Sequence, residues 1–316
     1  MTVASARAAV EESPGSEILV GTASWTDPTL LKSGRFYPPE AKTAEARLRY
    51  YALQFPLVEI DSTYYALPAQ RAAQLWVERT PAHFVFDVKA FRLFTGHPAQ
   101  PAALPADLRK LLAPSDKPNL YYADLAAEIR GELWRRFRLG IEPLRASGKL
   151  GVVLLQFAPW FVFGGDSFAH IDHCSEMLEG FRLAVEFRNK SWFGEATRAK
   201  TIAYEREHRL VHVVVDEPQG FVSSIPQVWE VTCPQLAILR LHGRNRQMWT
   251  RKGLASSAER FNYLYSAAEL ETLAAGAQAL ARRAQRVHVL FNNCHEDKAQ
   301  RNAAQFAQIV GDLLRR

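Results

Sequence analysis

Three cysteines in 316 residues, Cys174, Cys233 and Cys294, are too few and too far apart for a disulfide framework or a paired C-x-x-C metal site. A reducing compartment fits that usage. Also missing is any apolar run near the roughly 18 residues that a membrane helix requires. The first 17 residues carry Glu11 and Glu12 where a signal peptide needs an apolar stretch. The expectation is a cytoplasmic protein with no membrane partner, opening on a disordered tail over residues 1–17. Seventeen glycines and seventeen prolines are too few for a collagenous or low-complexity chain. What is present is 48% hydrophobic and 23% charged residues, the balance of a globular protein with a sizeable core. A net charge of +6 favours anionic ligands, although Lys and Arg are scattered as on a solvated surface.

Short runs rich in Val, Ile, Leu and Phe recur at 18–22, 57–61, 84–89, 151–157, 183–188, 211–216, 236–242 and 287–292. Eight such runs are the number of strands that an α/β barrel needs. Helical patterns fill the gaps at 43–54, 68–78, 120–137, 167–178, 195–207, 266–283 and 297–314. This alternation implies parallel strands, because parallel neighbours cannot be joined by tight hairpins. An open doubly wound sheet should show a Gly-rich phosphate turn after its first strand. Gly21-Thr22-Ala23-Ser24-Trp25 holds one glycine, which favours the closed form. The fold expected is an α/β protein, a single TIM-type (β/α)8 barrel over residues 18–316. Long loops follow strands 3 and 7, at 90–150 and 243–286.

Successive strand side chains point to opposite faces, so one parity meets the helices and the other the barrel axis. Val58 and Ile60 alternate with Glu59 and Asp61, Phe86 and Val88 with Asp87 and Lys89, and Val185 and Phe187 with Glu186 and Arg188. Leu239 and Leu241 alternate with Arg240 and His242, and Val289 and Phe291 with Leu290 and Asn292. Helices demand apolar contacts, so the polar parity points inward at the carboxyl ends, where such barrels carry their active sites. The same count aims Gln156 and Asp216 inward. Glu59, Asp87 and Arg240 lie deeper and are expected to pair with one another, since buried charges persist only when partnered. Nearer the ends, Asp61, Lys89, Glu186, Arg188 and His242 offer carboxylates and a lysine for proton transfer, and cations for an anionic group.

These segments resemble the YecE-like family, a TIM-barrel domain of unknown function 72. The similarity runs from about Gly21 to Phe306 and rests on Gly21-Thr22 with Ser24-Trp25, Phe36-Tyr37-Pro38, and Val58 through Tyr65. Further matches are Val88-Lys89, Leu154-Leu155-Gln156-Phe157, Glu186-Phe187-Arg188 with Ser191-Trp192-Phe193, Arg240 through Arg244, Tyr263 with Tyr265-Ser266, and Phe291-Asn292-Asn293. The resemblance implies the barrel and marks these strand ends as the family's site, without an activity to carry over. Three departures stand out. Asp61 takes the place of a common Asn, Asn189-Lys190 replaces a common His-Pro, and Ala158 replaces the first residue of a Pro pair.

Other residues carry weaker signals. Asn292 leads from the last strand toward a helix whose exposed N–H groups favour a phosphate or carboxylate. Cys294 beside His295 reads as a structural thiol, since adjacent residues rarely face each other productively. Trp25, Tyr64, Tyr65, Trp192, Phe193, Tyr263 and Tyr265 read as packing, or as a rim able to stack on a sugar or base. Arg244, Arg246, Arg251 and Lys252 form a basic loop that either holds phosphate or is simply solvated.

The function expected, by fold analogy, is acid/base chemistry on a small polar anionic molecule: a sugar, phosphate ester or nucleotide. Catalytic candidates are Glu186, Asp61 and Lys89; substrate-binding candidates are Arg188, His242, Arg244, Asn292, Gln156, Trp25 and Tyr64. The sequence requires no cofactor. A divalent metal, if used, would take Asp61, Glu186, Asp216 and His242 and give a metal-dependent phosphoesterase, with Lys89, Arg188 and Arg240 opposing the cation. A non-catalytic nucleic-acid binder using rim arginines and aromatics is the remaining alternative. Oligomeric state is left open.

Overall fold

Runs of β-branched residues bounded by polar turns pair side by side into eight parallel strands. The structure, a computed structural model, describes residues 16–113, 117–254 and 256–313. The strands are β1 (Glu17–Ala23), β2 (Leu57–Ile60), β3 (Val85–Lys89), β4 (Leu150–Gln156), β5 (Leu183–Glu186), β6 (Val211–Asp216), β7 (Ala237–Leu241) and β8 (Arg286–Phe291). They neighbour one another in chain order, and β8 pairs with β1, so the expected barrel closes. The tail expected over 1–17 lies outside the described residues except for its last two, and Glu17 already opens β1.

The crossovers carry α1 (Pro28–Ser33), α2 (Ala44–Gln54), α3 (Ser62–Tyr65), α4 (Gln70–Glu78), α5 (Ala106–Arg109), α6 (Ala127–Ala146), α7 (Gly165–Met177), α8 (Arg198–Glu207), α9 (Arg246–Trp249), α10 (Ala267–Ala281) and α11 (Lys298–Leu313). Among the described residues, no helix is long and apolar enough to cross a membrane. The unexpected α1, α3, α5 and α9 are single short turns in which no period can show. α6 corrects the expected helix at 120–137: it starts seven residues later and runs on through Gly140 and Pro143. Both residues read as breakers in sequence. Gly140 is there because a Cβ would lie 2.2 Å from the Pro68 carbonyl oxygen, where α6 crosses the approach to α4. The long connection after β3 builds its own core, with the Phe94 ring flat on Trp134 at 3.5 Å between centroids.

Two strands break the simple alternation. In β4 one extra residue is inserted near Gly151, opposite the step from Phe86 to Val88 of β3, where the register slips. Gly151 faces the axis, where a Cβ would sit 2.2 Å from Asp87 Oδ1, and the bulge resets the count so that Gln156 still points inward beside Glu186. In β6, Asp216 is in register with the outward-facing Leu241, so the expectation that it points inward is wrong. His212, of the same parity, confirms this, since its ring bonds Glu205 of α8 and the Val228 carbonyl.

Candidate active site at the barrel mouth

Three layers of polar side chains fill the axis. Deepest is Asp87, which accepts from His288 Nδ1 at 2.9 Å; it does not join Glu59 and Arg240 as expected. Above it Arg240, fully buried, donates from Nη2 to Glu59 at 2.7 Å and from Nη1 to Glu186. A guanidinium suits this place because its planar fork serves two carboxylates at once. Glu186 is therefore the link between the deep layer and the mouth. Its Oε1 also accepts from Gln156 Nε2 at 2.6 Å, Arg188 Nη1 at 3.1 Å and His242 Nε2 at 3.0 Å.

These contacts decide the charges. Burial pushes the Glu186 carboxyl up, but Arg240, then His242, then Arg188 overcome it and hold it well below the usual carboxylate range. His242 goes the other way: burial, helped by Arg188 and Arg240 and opposed by Glu186, pulls it down to about 3. The ring is therefore neutral at physiological pH. Its neighbours assign the tautomer: Nε2–H donates to Glu186, while Nδ1 accepts from Asn292 Nδ2 at 2.7 Å. His242 and Asn292 thus brace Glu186 from behind.

Closer to solvent, Lys89 Nζ stands 2.9 Å from Asp61 Oδ1 and 4.4 Å from the centre of the Tyr64 ring. Arg188 occupies the other side of the mouth, spanning Glu186 and Glu217, whose Oε2 lies 3.1 Å from Nη2. Glu217 is the residue that sequence reading missed. It sits one place beyond β6, and counting inward parity from Val213 and Val215, which pair with Ile238 and Arg240, would have found it. Burial pushes its carboxyl up to about 7, against the pull of Arg188 and the Ile225 N–H. His97 was missed as well; burial, with Lys89, Arg92 and Arg188 nearby, lowers it to about 3.

Several expected members are elsewhere. Asp216 accepts from the Tyr265 hydroxyl at 2.6 Å and from Arg244 Nη2 at 2.8 Å, and Arg244 also reaches Glu269 at 3.0 Å. Arg244 therefore braces the outer wall and does not face the mouth. With Asp216 outside the barrel and both His242 nitrogens engaged, Asp61, Glu186, Asp216 and His242 do not converge. Among the described residues, no group of three or more His, Cys, Asp and Glu side chains is arranged to hold a metal ion. Trp25 is buried edge-on against Trp76, and Trp192 is buried flat on Phe187, so neither forms a rim. The approach to α11 carries Glu296 and Asp297, paired with Arg35 at 2.8 and 3.6 Å, so that end already holds its own carboxylates. Cys294 Sγ donates to the Ala23 carbonyl at 3.1 Å, and burial pushes the thiol well up, which suits a structural role. In the loop after β7, Arg246 folds back onto Gln219 and the Phe221 ring, while Arg251 and Lys252 are exposed.

Beside Asp61, a cavity of about 350 Å³ opens at the ends of β1, β2 and β8. Ser24, at its wall, has φ 101°, a strained value for a non-glycine residue.

A family model described as Protein of unknown function DUF72 matches residues 19–315. The UPF0759 protein YunF of Bacillus subtilis (strain 168) is 30% identical over 295 residues, 93% of this chain and 94% of its own. A solved DUF72 family protein from Enterococcus faecalis V583 superposes with a TM-score of 0.76 at 26% identity, over 93% of this chain and 95% of that one. Another, from Thermotoga maritima MSB8, gives 0.72 at 30% identity, over 93% and 99%. The resemblance to the YecE-like family is borne out, and the chain belongs to the DUF72 family.

Proposed function

We propose that the protein is an enzyme that works by general acid/base chemistry at the barrel mouth on a small polar substrate bearing an anionic group. The observation that carries this reading is the Lys89–Asp61 pair, 2.9 Å apart and still 10% and 28% exposed, above an axis of fully buried ion pairs. A purely structural network would close over its last charges, since a partly exposed pair adds little stability. Asp61 is the proton-transferring group, and Lys89 answers negative charge that develops beside it. Arg188, 12% exposed, is the second cation available to the substrate's anion. Glu186, Gln156, His242 and Asn292 are positioning residues, because Glu186 and His242 are enclosed and the other two are tied to them. Tyr64 forms the wall beside Lys89.

The test combines thermal stability with substrate screening. Phosphate or sulfate should raise the melting temperature by binding the folded state, and Arg188→Ala should remove most of the gain. Asp61→Asn should keep anion binding and abolish turnover found with phosphate esters or sugars. The reading fails if no small anion shifts the melting temperature and Asp61→Asn leaves every measured activity intact. Polynucleotide binding weakened by changes at Arg246 and Arg251, with Asp61→Asn inert, would replace it with a surface binder.

A further inference from the structure

The cavity beside Asp61 is chemically unlike the axis next to it. Among the described residues, no Lys or Arg side chain lines it. Its polar wall includes Asp27, Asp61, Asn292 and the hydroxyls of Ser24, Thr26, Ser62 and Ser256, and its apolar wall includes Tyr65 and Phe261. Hydrogen-bond accounting shows what the polar groups still want. Asp61 gives Oδ1 to Lys89, and Asp27 gives Oδ1 to the first turn of α1 at Thr29 N, 2.8 Å, and the Thr29 hydroxyl, 2.6 Å. Each keeps an Oδ2 that takes no hydrogen bond from the described residues. Asn292 gives one of its two amide N–H groups to His242, and its oxygen meets only the Cys294 thiol at 3.9 Å, so its oxygen and its second N–H remain for a ligand. Ser24 accepts from Thr26 N at 3.1 Å, and among the described residues neither its proton nor the Ser62 hydroxyl is committed to a hydrogen bond. The wall thus offers a surplus of acceptors, two of them on carboxylates, together with a few hydroxyls.

We infer that this cavity takes a polyhydroxylated ring, so that the substrate is a sugar carrying the anionic group; this rests on the acid/base reading proposed above. Sugar hydroxyls supply donors to the two free carboxylate oxygens and acceptors to the wall's hydroxyls, and the apolar C–H face of the ring lies against Tyr65 and Phe261, the usual use of aromatics at such sites. A volume of about 350 Å³ holds one such ring with water to spare. An ammonium group would also answer the carboxylates, but Lys89 already stands against Asp61 and repels a second cation. An inorganic anion finds no cation in the cavity's described lining and is opposed by Asp27 and Asp61. The two halves of the ligand are therefore sorted by chemistry: hydroxyls toward Asp27 and Asp61, anion toward Lys89 and Arg188.

Calorimetric titration of the whole chain tests this with inorganic phosphate, ribose 5-phosphate, glucose 6-phosphate, the two parent sugars and ethanolamine. At least one sugar phosphate should bind roughly tenfold or more tightly than inorganic phosphate, the worth of one added hydrogen bond to a charged group. Asp27→Asn keeps the helix cap, because Asn caps as well as Asp. That variant and Phe261→Ala should each weaken sugar-phosphate binding about tenfold while changing inorganic phosphate binding less than twofold. The inference is overturned if both sugar phosphates bind no better than inorganic phosphate, or if ethanolamine binds in a manner that depends on Asp27 while the sugars do not. In either case Arg188-dependent phosphate binding would leave the acid/base reading standing. Loss of all anion binding would remove both.

Discussion

Replacing Glu217 with Gln should make the protein's stability less dependent on pH, and the size of the change follows from one buried carboxyl. Its folded value of about 7 stands above the ordinary 4.5, because burial outweighs Arg188 and the Ile225 N–H. Between those two values the native state holds this proton more tightly than the unfolded chain does. Unfolding free energy therefore falls as pH rises through that window, and the loss is complete above the folded value. At about 1.4 kcal/mol per tenfold change, the full loss is roughly 3 kcal/mol. Glu217→Gln cannot ionise and keeps an oxygen for the Ile225 N–H, which Glu217 Oε1 accepts at 2.8 Å. Any fixed cost of an amide beside Arg188 is the same at every pH and cancels in the comparison. Urea unfolding of both proteins from pH 5 to pH 8.5 measures the difference. The variant should gain on the wild type by about 2–3 kcal/mol across that range. A difference that stays flat within about 0.5 kcal/mol would mean that Glu217 titrates as an ordinary carboxyl, and the account of its burial would be wrong.

Arg240→Met leaves Glu59 and Glu186 buried without their shared cation and should cost about 3–5 kcal/mol in urea unfolding; a cost under about 1 kcal/mol would contradict the bridging role. Gly21→Ala should fold poorly, because its Cβ would lie 1.9 Å from the Leu57 carbonyl oxygen of the neighbouring strand, and wild-type expression and melting temperature for this variant would refute that contact. Cys174, fully buried with its thiol pushed up by that burial, should react with an aromatic disulfide reagent only as fast as the protein unfolds. Rapid labelling of Cys174 in the native state would count against it.

Legibility in the sequence followed the regularity of the strands. In β2, β3, β5 and β7 one parity is apolar while the other turns polar toward the carboxyl end, so spacing alone places Glu59, Lys89, Glu186 and Arg240 on the axis. β6 defeats the method. Val213, Val214 and Val215 are apolar in both parities, leaving Asp216 as the one polar marker near the end, and it belongs to the outer face. The error supplied a false inner carboxylate, Asp216, and hid the real one, Glu217. In β4 the inserted residue at the bulge reverses a count begun at Leu150, whereas beyond the bulge Leu154 and Gln156 pair with the inward Lys89 and Glu186. Pairing was less legible than position. Glu59 and Arg240 are 181 residues apart, and Asp87 and His288 201 apart, and parity says which side chains share the axis, not which of them share a layer. The neutrality of His242 depends on its complete burial beside two guanidinium groups, which no spacing reveals.

The charges of the mouth also explain why a chain of net charge +6 has no simple positive well at its centre. Arg240 and Arg188 are answered by Glu59 and Glu186, and Lys89 is answered by Asp61. Glu217, raised to about 7, adds little negative charge well below that pH and about half a charge at it. On the reading proposed above, an anion entering this balanced site gains most by taking Lys89 away from Asp61, the more exposed and therefore the weaker of the two carboxylate anchorages. That exchange frees Asp61 Oδ1 from its cation while the substrate is in place, leaving that oxygen open to accept a proton. Arg188 meets the anion without leaving its carboxylates, since releasing it would strip one cation from the buried Glu186 and the salt-bridge partner from Glu217 Oε2. The axis therefore holds one cation fixed and leaves the other free to change partners, and the residue that changes hands lies at the entrance to the cavity.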